Sequence, residues 1–317
     1  MSRRNLERYR AAKHQHASVE EFRGAKLKSG IHSIAYQDAT IDLLVKRRSQ
    51  ARTVIFSFHG AVPAEGTSTP VLVGLGITQD VPAHTVLISD PSLELDDHLR
   101  LAWFAGNHRQ PLQRDLVDLF AHVVKALRAE HVVFYGASGG GYAALHYSSH
   151  VPGSLAFATN PQTIVSEYDP VAVREYVDAC WPGHEDEPVA DVLARHVAND
   201  LGEIYAGRPG NTVAYLQNES DWHVAKHMEP FMARLPDDHD VHVRMGDFGQ
   251  GHAAPPKELV SAVLHAAAEA DGDWAGALAT LEFEPSPRAA RASRGLGGWW
   301  RRRAARARAA GRAATRG

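Results

Sequence analysis

Val132-Val133-Phe134-Tyr135-Gly136-Ala137-Ser138-Gly139-Gly140-Gly141-Tyr142-Ala143-Ala144-Leu145 combines a buried-strand pattern, a G-x-S-x-G turn and a small-residue helix. Val132 to Tyr135 are β-formers that run straight into the turn. A serine on so sharp a strand-to-helix turn takes a strained backbone conformation, with Oγ raised above the sheet edge. Gly136 and Gly140 flank it because a β-carbon at either place would crowd the turn. Backbone N–H groups at the start of the helix then face the place where a negatively charged oxygen would form. Two other readings weigh less. A phosphate-binding loop of the Walker type needs a Lys after its last glycine, and none is present. A dinucleotide fingerprint lies near the start of a domain and has no need of the serine.

Outward from this turn, strand and helix patterns alternate. Thr53 to Phe58 and Thr85 to Ser89 read as strands, and Pro111 to Ala129 as an amphipathic helix. Leu155 to Thr159, Thr212 to Leu216 and Val241 to Met245 continue the strand series. Helices are expected near Val224 to Leu235 and Pro256 to Glu269. Alternation of this kind predicts a mostly parallel central sheet with helices on both faces. Ile31 to Tyr36 and Ile41 to Val45 suggest an opening antiparallel hairpin. Residues 163–208 hold helical patterns without a convincing strand and are read as a small helical lid insertion. Residues 1–29 read as a polar N-terminal helix and linker. Residues 284–317, dominated by Pro, Gly, Ala and Arg, read as a disordered tail.

Composition narrows the class. The 317 residues suffice for one large α/β domain with an insertion, and 44% hydrophobic residues supply a core. Cys180 is the only cysteine, so an intrachain disulfide framework is excluded. Arg3 and Arg4 are not followed by an apolar stretch of signal-peptide type, and no apolar run has spanning length. A cytoplasmic protein is therefore expected. The net charge of −3 conceals an asymmetry: Arg288 to Gly317 carries ten Arg and no acid, leaving 24 basic and 37 acidic residues elsewhere. With Trp299-Trp300 inside it, this basic segment suits an anionic membrane surface or acidic polymer, peripherally at the inner membrane face. The alternative is a solvated tail. No zinc-finger, RNP-like or recognition-helix pattern points to specific nucleic-acid binding.

A serine hydroxyl needs a base, and the base needs an orienting carboxylate. His252 ends the glycine-rich loop Gly246 to Gly251 after the last strand, which lets its ring turn back over the sheet edge. His223 is its main rival. Asp221, 31 residues before His252, lies in the loop after Thr212 to Leu216 and is the preferred acid, with Glu219 as substitute. Asp247 is also close to His252 in sequence, but it comes from the same loop and could be just a loop-shaping residue. His59-Gly60-Ala61 follows an early strand and could supply an oxyanion hole from the N–H groups of Ala61 and Gly139. His59, Gly60, Asn160 and Gln162 are candidates to face substrate. Trp103, Phe104, Asn107, Tyr168, Tyr176 and Trp181 belong either to a substrate cleft or to the core. H-E-x-x-H and cysteine-based zinc patterns are missing, so no metal or organic cofactor is expected.

From about Ile41 to Ala270 the sequence resembles the α/β-hydrolase superfamily, whose serine esterases and acyltransferases use the order Ser, acid, His. Residues 30–283 would form that domain, with Ser138, Asp221 and His252 as its triad. The phrases YGASGGGYAAL, SDPSL and ATNPQT resemble a bacterial branch associated with capsule or cell-surface polysaccharide biosynthesis. That resemblance implies an O-acyl or O-acetyl group on a glycan, or a smaller ester, as substrate. Hydrolysis and acyl transfer both stay open, because only the acceptor differs. The alternative class is a non-catalytic binding or assembly subunit of a surface-polysaccharide or membrane-associated machinery.

Overall fold

The computed structural model describes residues 4–63 and 66–286. Ten strands form one sheet: β1 (Lys13–His16), β2 (Gly30–Tyr36), β3 (Ala39–Lys46), β4 (Thr53–Phe58), β5 (His84–Ile88), β6 (His131–Ala137), β7 (Leu155–Thr159), β8 (Thr212–Asn218), β9 (Val241–Gly246) and β10 (Glu284–Pro285). Their order across the sheet is β1-β2-β3-β5-β4-β6-β7-β8-β9-β10. From β5 to β9 every neighbouring pair is parallel. β3 is antiparallel to both β2 and β5, and β10 is antiparallel to β9. The helices are α1 (Val19–Gly24), α2 (Leu112–Leu127), α3 (Gly139–Ser149), α4 (Pro170–Cys180), α5 (Val189–His196), α6 (Leu201–Ala206), α7 (Glu229–Arg234), α8 (Lys257–Glu269) and α9 (Trp274–Ala279).

Alternation along the buried strands sorts side chains to two faces. Phe56 and Phe134 pack with Leu116, Leu119, Phe120 and Val123 of α2 and with Ala143, Ala144 and Tyr147 of α3. Their neighbours Ile55 and Val133 pack with Val260, Val263 and Leu264 of α8. Each such apolar side chain, fully buried, contributes about 1.5–3 kcal/mol. α2 ends at Arg128, which takes a left-handed cap conformation (φ 56°). The strand order reverses around β4, and in sheets of this kind sites form beyond the carboxyl ends of the strands at that point.

The ends of the chain differ from the sequence expectation. Within the supposed N-terminal helix and linker, Lys13–His16 pairs in parallel with β2. Its KHQH sequence has no β-branched residue, so local propensity gave no sign of it. The segment is tied down by Arg4, whose Nη2 donates to the buried Asp42 Oδ1 at 2.7 Å. Glu284 and Pro285, placed in the tail by composition, add β10 to the sheet, and Ser286 N–H donates to Val241 O at 2.8 Å. The rest of the Arg-rich segment lies outside the described residues. α4, α5 and α6 fall within 163–208, between β7 and β8. Among the described residues no helix is long and apolar enough to cross a membrane.

Candidate active site

Ser138 stands between β6 and α3 with φ 55° and ψ −120°, a conformation that L-residues adopt only when surrounding structure enforces it. The enforcement is steric. A β-carbon on Gly140 would come within 2.5 Å of Phe58 O and 2.8 Å of His59 O. One on Gly136 would overlap the Gly140 carbonyl group. The elbow is therefore pressed against the end of β4, and only glycine leaves room for it. Hydrogen bonds lock the result: Ser138 N–H donates to Thr159 O at 3.0 Å, and Ser138 O accepts from Gly141 and Tyr142 N–H.

The loop after β4 lies directly against this elbow. A β-carbon on Gly60 would stand 2.9 Å from Ala137 O and 3.4 Å from Ser138 Cβ. Val62 N–H is committed to Arg100 O, whereas among the described residues no acceptor takes the exposed Ala61 N–H. Gly139 N–H belongs to the first turn of α3, where N–H groups lack intrahelical acceptors. His59 does not face substrate. Its ring is 2% exposed; Nδ1–H donates to Gly60 O at 2.8 Å, and Nε2 accepts from Asp90 N–H at 3.1 Å. Burial pushes its pKa down to about 4, so a neutral ring braces the loop.

His252 and Asp221, the expected base and acid, arrive from separate strand ends. His252 Nδ1 donates to Asp221 Oδ2 at 2.6 Å. Asp221 is fully buried, its other oxygen accepting His223 N–H at 3.0 Å, while the His252 side chain is 36% exposed. Burial opposes the Asp221 charge, but the bonds from His252 and the His223 backbone hold its carboxyl below the usual range. His223, the rival base, is buried, with Nδ1–H donating to Asn160 O at 3.0 Å. Glu219 stays in its own loop, where its N–H donates to Gly246 O. Asp247 Oδ1 accepts Gly249 N–H and shapes the histidine loop. Among the described residues no hydrogen bond joins Ser138 Oγ to His252; Oγ accepts instead from Gln162 Nε2 at 3.1 Å.

Several residues that hold the site carried no signal in the sequence. Asn218 Nδ2 donates to Gly249 O and Gly251 O at 2.8 and 2.6 Å, and its Oδ1 accepts Phe248 N–H. Ser220 Oγ bonds the same loop at Gly249 O and Gly251 N. Asn160, expected to face substrate, is 3% exposed and works as a brace at φ 42°. It donates to Ala253 O at 2.8 Å and accepts Asn218 N–H at 2.7 Å, tying β7 to β8 and to the histidine loop. Trp103, Phe104 and Tyr176 are core residues, as is most of Trp181, and Asn107 is buried against Ser92 and Gln110. Of the aromatic set only Tyr168 is part-exposed, stacked 5.8 Å from the exposed Trp222. Asp221, His223 and His252 also offer ligand atoms within 4.8 Å of one another, the grouping among the described residues that could hold a metal ion.

No protein-family model matches the sequence, and no curated protein does. Solved structures do match. The capsule O-acetyltransferase of Neisseria meningitidis serogroup A superposes with a TM-score of 0.54 at 12% identity, covering 71% of this chain and 89% of that one. An S-formylglutathione hydrolase from Agrobacterium tumefaciens gives 0.51 at 13% identity, over 77% and 94% of the two chains. A 2,6-dihydroxy-pseudo-oxynicotine hydrolase gives 0.53 at 14% identity, over 80% and 72%. Parallel sheet, elbow after β6, and solved neighbours agree: this chain has the α/β-hydrolase fold.

Proposed function

We propose that the protein is a serine-dependent acyl-ester enzyme, an O-acyl esterase or acyltransferase, working through Ser138, His252 and Asp221. The His252–Asp221 pair, delivered by the loops after β8 and β9 in a fold whose β6–α3 turn carries the strained Ser138, is the observation that carries this reading. Nδ1–H of His252 is held by Asp221, which leaves Nε2 as the proton acceptor. Ser138 Oγ bonds to the ester carbonyl carbon as its proton passes to Nε2, and the carbonyl electrons move onto oxygen. Ala61 and Gly139 N–H groups receive that oxyanion, each donor worth about 3 kcal/mol in the transition state. His252 then protonates the leaving oxygen, giving an acyl-serine. Water or a sugar hydroxyl, deprotonated by His252, releases the acyl group.

A glycan O-acetyl group is the substrate class we favour. The sequence phrases YGASGGGYAAL, SDPSL and ATNPQT support it. So does the fold shared with a capsule O-acetyltransferase. The test is turnover of p-nitrophenyl acetate, followed by acetyl transfer from p-nitrophenyl acetate or acetyl-CoA to polysaccharide fragments, read as added mass. Turnover that vanishes in Ser138→Ala supports the ester chemistry. Transfer to a fragment, or release of acetate from an acetylated one, supports the glycan. Absence of all turnover in folded protein would count against the reading.

A further inference from the structure

Gln162 makes a contact that the triad does not require. It follows β7 by three residues and is completely buried, its backbone N–H donating to Ser138 O at 3.2 Å. Its carboxamide spans two partners: Oε1 accepts from Trp103 Nε1–H, and Nε2 donates to Ser138 Oγ at 3.1 Å. The amide orientation follows from chemistry. An indole N–H is only a donor, so the amide atom facing Trp103 is oxygen and the one facing Ser138 is nitrogen.

Trp103 is itself held at strain. Trp103 and Phe104 have successive positive φ values of 54° and 55°. Phe104 N–H donates to the buried Asp90 Oδ2 at 2.6 Å, and Tyr147 Oη–H donates to Phe104 O at 2.6 Å. Tyr176 crosses the Trp103 ring edge-on at 5.4 Å and anchors to Gly106 O at 2.7 Å. A two-residue left-handed turn, clamped on both sides, thus sets the direction of one amide.

We propose that Gln162 is a further catalytic residue, a fixed donor to the nucleophile oxygen, with Trp103 as its positioning residue. The inference rests on the serine-enzyme reading above. Accepting from Nε2 occupies one lone pair of Oγ and fixes its rotamer. The hydroxyl proton is left for His252 and the other lone pair for the carbonyl carbon. Charge that gathers on Oγ during attack is stabilised by the same donor, and again when Oγ leaves as the acyl group is released. Gln162 keeps both its protons throughout.

The test is the rate of fluorophosphonate labelling of the full chain, measured from pH 5 to 8 for wild type, Gln162→Met, Gln162→Glu and Trp103→Phe, with thermal midpoints alongside. Gln162→Met should label on the order of 10²-fold more slowly, and Trp103→Phe about 10-fold more slowly. Gln162→Glu should be slow at pH 8, and its rate relative to wild type should climb as pH falls, because a protonated carboxyl regains an O–H donor. With the thermal midpoint of Gln162→Glu level across the same pH range, a purely structural role would not produce that relative pH dependence. Wild-type labelling with equal rates and a flat ratio in the variants would overturn the role of Gln162 and leave the serine-enzyme reading standing. Unlabelled wild-type protein would overturn both.

Discussion

His252 Nδ1 donates to Asp221 Oδ2 across 2.6 Å, joining the loop after β9 to the loop after β8. The bond fixes the tautomer, because a proton on Nδ1 leaves Nε2 free to accept. Asp221→Asn would present an N–H where the carboxylate was and reverse that tautomer. Ester turnover should fall about 10³–10⁴-fold with the fold retained. Glu219→Gln, outside this pair, should stay within about twofold of wild type. Side-by-side kinetics of the two variants checks the assignment of the acid.

Gly140→Ala tests the elbow as a packing device. The new methyl would stand 2.5 Å from Phe58 O, a backbone atom that cannot swing away. We expect a loss of at least about 2 kcal/mol, read in denaturant titration, together with loss of turnover.

Acid should unfold the protein steeply. Burial holds His32, His59 and His223 down to about 4, and His146 and His227 down to about 3. Unfolding returns each to an ordinary value near 6.5, so the unfolded chain binds more protons between those limits. This stabilisation is present above about pH 6.5 and is lost as pH falls toward 4. Asp90, which burial pushes up to about 6, opposes the trend by one proton. Denaturation midpoints across pH 4–7 should show net proton uptake on unfolding, reduced by about one proton in His146→Gln.

The exposed Trp222 ring lies 5.8 Å from Tyr168, nearly parallel to it, and 4.3 Å from the His223 ring, which itself lies 4.2 Å from the His252 ring. Trp222→Ala removes an aromatic surface without touching the His252–Asp221 bond. KM for p-nitrophenyl acetate should rise roughly 2–10-fold, with kcat changed less.

What was legible in the sequence followed local rules. Strand periodicity, the glycines around Ser138 and the glycine loop before His252 each leave a pattern in consecutive residues. The pairing of Asp221 with His252 was legible by order, since Asp221 follows β8, the strand just before the one that leads to His252. The braces were not. Asn218, Ser220 and Asn160 act through side-chain bonds between loops, which no spacing rule encodes. His59 looked like a pocket residue because it ends a strand beside the site, yet its ring turns inward to Asp90 N–H. Strand β1 leaves no pattern in the sequence because its pairing with β2, rather than its composition, makes it a strand.

The most direct test of the central claim is peptide mapping after fluorophosphonate treatment of the full-length protein, beside Ser138→Ala and His252→Ala. The account predicts one adduct, on the peptide carrying Ser138, absent from Ser138→Ala and strongly reduced in His252→Ala. An unmodified Ser138 in folded wild-type protein, or labelling indifferent to His252, would contradict it.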